Sequence, residues 1–243
     1  MANTRAFPNP QKSLQWGAKP ARIWQSEEEA IRYALMAQNV TEQAIANREM
    51  ALLYQRRKKY KQALPYAKTT YGLAKSSKGT PKIILSFTSS GLANCQASSG
   101  YLEDAQTSLK EAHDSFDPTM LIPSLPYNEG ILTDIDARIY RHMGKFKEAI
   151  DKYQQYKKSL VISPLGAIEN NVEWARTEVS RDDIQTRDMD LCITLLTEAI
   201  TGARGLNSQW YIREAHEVFD LFRIAWPRED AIKQLGKDHF GLN

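Results

Sequence analysis

The run Ala137-Arg138-Ile139-Tyr140-Arg141-His142-Met143-Gly144-Lys145-Phe146-Lys147-Glu148-Ala149-Ile150 decides the reading of this chain. A small residue is followed three positions later by an aromatic one, then by a glycine, a large apolar residue and a second alanine. Two further segments repeat the pattern. One is Leu92-Ala93, Gln96, Gly100, Leu102 and Ala105; the other is Ala51, Tyr54, Lys58, Tyr60, Ala63 and Leu64. In each segment the two alanines stand twelve positions apart. That spacing suits two antiparallel helices joined by a tight turn. Alanine at the crossing lets the axes approach, and Gly100 or Gly144 supplies the left-handed residue that ends the first helix. The large residue two positions later (Tyr60, Leu102, Phe146) fills the gap between the helices.

Breaker signals separate the segments: Gly79-Thr80-Pro81, Asp117-Pro118 through Pro126, and Ser163-Pro164-Leu165-Gly166. Strand signals are scarce, and helical spacing runs from Ser26 to His239. The pattern resembles the tetratricopeptide repeat (TPR), a helix–turn–helix unit of 34 residues. That resemblance implies an all-α, right-handed TPR-like α-solenoid of about five antiparallel helix pairs. Repeats fall at roughly 44–77, 86–119 and 130–163, with a degenerate unit at 168–203 and a capping pair at 208–239. Starts 42 and 44 residues apart require helices or linkers longer than the family norm. Asn47, Ser89 and Thr133 stand where the family carries Trp.

The flanks extend the array. Residues 1–25, with Pro8, Pro10, Gly17 and Pro20, read as an irregular leader ahead of a repeat domain over 26–243. Ser26 and Glu29 form a capping box, and Glu29-Ala30-Ile31 through Ala37 looks like the second helix of a unit whose first helix is missing. Helices are expected over 168–179, 191–203 and 208–225, and from Pro227, as first helical residue, to Asp238. The ending Trp210-Tyr211-Ile212-Arg213-Glu214-Ala215, with Trp226-Pro227, resembles the C-terminal sensor arrays of bacterial helix-turn-helix regulators. The resemblance implies a cytoplasmic role in transcription regulation or signalling. No DNA-reading domain fits before the first helix, so direct nucleic-acid binding is not expected.

Composition excludes several classes. Apolar residues make up 42 % and charged residues 25 % of 243 positions, enough for a core and too many for a disordered chain. A net charge of +3 is too mild to argue for a polyanion or a membrane surface. No apolar run is long enough to span a bilayer. Two cysteines, Cys95 and Cys192, make no disulfide framework, which favours a reducing cytoplasm. Histidines 113, 142, 216 and 239 are dispersed, so no metal site is expected. Asp182-Asp183 and Asp188-Asp190 lack the glycine and terminal Glu of a calcium loop. There is no nucleophile elbow, P-loop or dinucleotide fingerprint, so neither catalysis nor a cofactor is expected. The cations Arg56-Arg57-Lys58-Lys59 and Lys61 close a helix and suit its negative end, which reads as a solvated turn, the alternative being an acidic partner.

The resemblance also implies which side chains line the concave face. Carried over, these are Arg48, Asn94, Arg138, Arg141 and Arg176, with Asp134 and Glu169 available as internal partners. Asn94, Arg138 and Arg176 share one position of successive repeats and should form a row. An amide and two guanidinium forks suit a peptide or protein segment carrying an acidic group. Leu52 and Ile131 stand where chaperone-tail binders need Asn and Lys, which speaks against that ligand. The alternative is a self-associating scaffold, a homodimer through Trp210, Tyr211, Phe219, Phe222 and Trp226. That face is open only if the last helix leaves it uncovered.

Overall fold

The computed structural model describes residues 40–120, 122, 125, 127–159 and 162–242. Among these residues ten α-helices follow one another: α1 (Val40–Arg56), α2 (Tyr60–Ser76), α3 (Lys82–Ser98), α4 (Leu102–Ser115), α5 (Glu129–His142), α6 (Phe146–Lys157), α7 (Pro164–Val179), α8 (Met189–Gly205), α9 (Gln209–Ala225) and α10 (Asp230–Phe240). A single 3₁₀ turn, Ile184–Thr186, lies between α7 and α8, and the described residues contain no strand. Each odd-numbered helix packs against the even-numbered helix after it. Each odd helix also touches the next odd one, so α1, α3, α5, α7 and α9 form a continuous inner layer with the even helices outside. The fold is an all-α solenoid of helix pairs. The leader, the Ser26 capping box and the half unit at 29–37 lie outside the described residues.

The repeated motif has a local cause at its turn. In the third pair the Gly144 N–H donates to the Arg141 carbonyl at 3.0 Å and the Lys145 N–H to the Tyr140 carbonyl at 2.9 Å. The second pair repeats this: Gly100 to Ala97 at 3.1 Å and Tyr101 to Gln96 at 2.9 Å. Such paired bonds satisfy the last carbonyls of a helix and need a left-handed residue between them. Gly100 and Gly144 supply it, with φ of +86° and +72°. The first pair makes the same two bonds, Lys58 to Gln55 at 2.7 Å and Lys59 to Tyr54 at 2.9 Å. There the left-handed residue is Lys58, at φ +57°.

Past the turn, the alanine pairs 51/63, 93/105 and 137/149 are all at most 2 % exposed, where the paired helices cross. Starts of the later helices are fixed by side-chain caps. Asn128, Ser163, Asp188 and Ser208 accept from the N–H three residues on. Asp183 caps the 3₁₀ turn, so two of the aspartates between α7 and α8 serve as helix starts. The core is a chain of three apolar clusters. One joins α1 to α2 and α3, one spans α2 to α5, and the largest runs from α5 to α10. The connector between α4 and α5 contributes Tyr127, whose ring meets Phe87 and Phe116 edge-on at 5.4 and 6.0 Å. The long repeat spacing thus comes from 17-residue helices in the first pair and from this connector.

Two helix starts differ from the sequence reading: α7 begins at Pro164, four residues before 168 and inside the stretch Ser163–Gly166 read as a breaker, because Ser163 caps it and proline suits a first helical position. The last helix begins at Asp230 behind Glu229, and Pro227 lies in the turn before it. Trp226 is still tied to α9, its N–H donating to the Phe222 carbonyl at 2.8 Å, and the chain needs three more residues to reverse.

Candidate functional site

The inner layer carries a charged network whose members come from four helices. On α7, Glu169, Glu173 and Arg176 recur at helical spacing and share one face. Arg138 on α5 pairs with Asp134 at 2.8 Å and with Glu169 at 3.2 Å. Arg141, one turn on, pairs with Glu173 at 3.0 Å. Arg176 lies 3.5 Å from the same Glu173 and 2.9 Å from Glu214 on α9. Glu169 also receives the Tyr211 hydroxyl from α9 and stands 3.5 Å from the Arg56 guanidinium at the end of α1. One carboxylate therefore gathers α1, α5 and α9 onto α7.

Burial sets the electrostatics. It pushes the Glu173 carboxyl up, but Arg141, Arg176 and Arg138 outweigh it and hold the group at about 2. Glu169 is likewise lowered, because Arg138 and Arg56 overcome its desolvation. Asp134 goes the other way: burial dominates Arg138 and lifts it to about 6. His142 is lowered to about 4 by burial and by the neighbouring Arg141, so its ring is neutral at pH 7. Four guanidinium groups (Arg56, Arg138, Arg141, Arg176) face four carboxyls (Asp134, Glu169, Glu173, Glu214), leaving little net charge. Hydrogen bonding is less complete. The Nε atoms of Arg138 and Arg141 and Oδ1 of Asp134 are buried with no hydrogen-bond partner among the described residues.

Arg138, Arg141 and Arg176 are brought together; Arg48 and Asn94 stand apart, toward α1 and α3. The Arg48 guanidinium lies 4.1 Å above the Phe87 ring, with Glu49 at 3.7 Å. The guanidinium stem also passes over Gly91, where a Cβ would sit 3.4 Å from Nε, an ordinary contact. Burial lowers the pKa of this arginine. Asn94 donates to the Gln55 side chain at 3.5 Å, not to Arg138. The row Asn94–Arg138–Arg176 is thus engaged with internal partners along its length.

The aromatic set near the C-terminus is mostly covered by its own chain. Tyr211, Phe219 and Phe222 are 4 %, 1 % and 0 % exposed. The last helix supplies the cover: the Phe240 ring packs tilted against Phe219 at 4.9 Å, and Ile232 and Leu235 join the same cluster. Only Trp210 and Trp226 keep partial exposure, so the five do not form an open dimer face.

The basic turn after α1 is more than a solvated helix end. Besides Arg56 on Glu169, the Lys58 ammonium pairs with Glu217 on α9. Sequence reasoning missed this closure, and missed Glu173 and Glu214 as members of the network. Glu173 had a signal, the shared stripe with Glu169 and Arg176. Contacts from α1 to α9 had none, because they depend on how far the whole stack turns. Elsewhere, both thiols are buried; burial pushes Cys95 to about 12 and Cys192 higher still. Among the described residues no three metal-ligating side chains cluster, and no helix is long and apolar enough to cross a membrane.

A continuous inner layer of first helices backed by second helices defines a TPR-like helical-repeat scaffold. Solved structures with this fold include a Podosopora anserina protein described as kinesin light chain-like, with nearly identical TPR-like repeats, and a single-substitution variant of that protein. Each matches at a TM-score of 0.52 and 15 % identity, over 83 % of this chain and 98 % of the other. No family model matches the sequence, and no curated protein does.

Proposed function

We propose that this chain is a non-enzymatic protein-interaction module whose concave face binds a peptide or protein segment. One observation carries the reading. The inner layer of a TPR-like scaffold presents half-buried guanidinium groups in a row, Arg138, Arg141 and Arg176, 23 %, 21 % and 17 % exposed. A guest backbone reaches their exposed N–H groups with its carbonyl acceptors. Because cations and carboxyls are balanced, an acidic group of the guest gains Arg138 or Arg176 only by displacing Glu169 or Glu214. We place the module in a cytoplasmic regulator, a reading supported by the resemblance of its last units to regulator sensor arrays. Self-association, the second reading, rests on the C-terminal end, where Ile224 is 78 % exposed beside Trp226. Sedimentation velocity across a concentration series tests it.

The groove is tested with peptides selected by display on the full chain and measured by fluorescence anisotropy. Arg176→Lys keeps the charge and removes the fork, so at least a fivefold loss of affinity is expected, measured well below the variant's own melting temperature. Wild-type affinity in both Arg176→Lys and Arg138→Lys would remove the inner face as the binding surface.

A further inference from the structure

We propose that the turn after α1 is the anion-binding lip of the concave face, and that an acidic segment of a partner opens the stack by taking Arg56 and Lys58 from Glu169 and Glu217. The inference rests on the concave face being the binding surface and names both the ligand class and its point of entry. Three observations converge on the turn. The first is positional. Where the second and third pairs use Gly100 and Gly144, the first uses Lys58 in the same left-handed conformation and with the same pair of closing hydrogen bonds. Glycine meets the backbone requirement there without strain. The lysine side chain therefore needs a separate explanation, and its ammonium pairs across the groove with Glu217.

The second observation is the unequal strength of the closing pairs. Lys58 and Glu217 are 46 % and 39 % exposed, so solvent and salt compete with the pair and it exchanges readily. Arg56 and Glu169, at 32 % and 25 %, lie deeper and are held within the network of Arg138 and Tyr211. An acidic guest thus meets the weak pair first and the strong pair second. The third observation is charge. The turn carries Arg56, Arg57, Lys58, Lys59 and Lys61 in succession, and its described partners across the groove are carboxylates. The chain's own acids occupy the places a guest carboxylate would take. A neutral segment has nothing to exchange, and a basic one, which could compete only for Glu217, is repelled by the succession of cations at the turn.

The experiment uses the full chain and acetyl-hexaglutamate-amide as probe, with hexalysine as control, at low ionic strength. Spin labels go on Gln62→Cys and Arg213→Cys, both exposed, the native thiols being buried. Hexaglutamate should bind, widen the label-to-label distance and lose affinity as salt rises. Lys58→Gly, which suits the backbone, should fold normally and bind about fivefold more weakly. Glu217→Gln removes the internal competitor and should bind about threefold more tightly. No hexaglutamate binding, or binding indifferent to both substitutions, overturns the proposal. If selected peptides still need Arg176 in that case, the concave face stands as binding surface and only the lip is lost. If hexaglutamate responds to Lys58→Gly and Glu217→Gln while selected peptides ignore Arg176 and Arg138, the lip stands and the deeper groove does not.

Discussion

Two side chains show how single residues trade local cost against network position. A non-glycine residue in the left-handed region costs roughly 1–2 kcal/mol. Lys58 bears that cost in a turn where two sister repeats carry glycine. The exposed pair it makes returns at most about 1 kcal/mol, so its placement is not explained by stability. His142 is the counterpart inside the network. It lies next to Arg141 and within 3.3 Å of the Ser98 hydroxyl, and burial with that arginine holds it at about 4. A histidine lowered in the folded state favours folding fully above its ordinary value of 6.5. That contribution is lost as pH falls from 6.5 toward 4. Asp134 opposes it. Being raised to about 6, it penalises the fold above that pH, and the penalty is relieved on acidification toward its ordinary 3.8. His142→Gln removes only the first effect. Relative to the wild type, the variant should gain about 2 kcal/mol in urea unfolding between pH 7.5 and pH 4.5. Parallel pH profiles for the two proteins would mean that His142 is not held neutral by its surroundings.

At the level of elements, glycines inside helices separate packing from propensity. A Cβ on Gly236 in α10 would stand 2.9 Å from Cζ of Phe219, a ring that is 1 % exposed and packed against Phe240. Overpacking of this kind costs about 1–3 kcal/mol, more than the ~1 kcal/mol alanine gains over glycine in a helix. Gly72 in α2 has nothing within 4 Å of its Cβ position. Gly236→Ala should therefore lower stability by about 1–2 kcal/mol and loosen α10, seen as altered near-ultraviolet dichroism. Gly72→Ala should raise stability by up to about 1 kcal/mol. The same contrast explains what the sequence reveals about the fold. The helix pairs were legible because turn and crossing are settled within about fourteen residues, through Gly100, Gly144 and the buried alanines. Pro227 misled because a proline suits a turn as well as a first helical position. The cover of the aromatic cluster on α9 was legible as well, because Ile232, Leu235 and Phe240 put an apolar face on the last helix. Of the concave face, the arginines were legible from repeat register. Their partners were legible only within a helix stripe, as for Glu169 and Glu173.

Across the whole molecule, the network changes what kind of solenoid this is. An open stack has only neighbour contacts, so its stability is a sum of local terms and its ends fray first. Here Arg56 and Lys58 tie the first pair to the fourth and fifth through Glu169 and Glu217. Opening the first pair therefore strips Arg56 from a carboxylate that also serves Arg138 and Tyr211. Removing one member of a buried pair costs about 3–5 kcal/mol. Glu169 is partly exposed and Arg138 keeps Asp134, so Glu169→Gln should cost less, about 2 kcal/mol. Hydrogen exchange reads the closure directly. In the wild type, α2 should be protected nearly as well as α8, although it lies near the start of the described array. In Glu169→Gln, α1 and α2 should exchange faster by roughly tenfold or more while α8 changes little. About 1 M salt, which shortens the screening length to ~3 Å, should move the wild type part of the way toward the variant. A uniform loss of protection along the array would instead place Glu169 in the general stability of α7. It would leave the first pair coupled to the rest through neighbours alone.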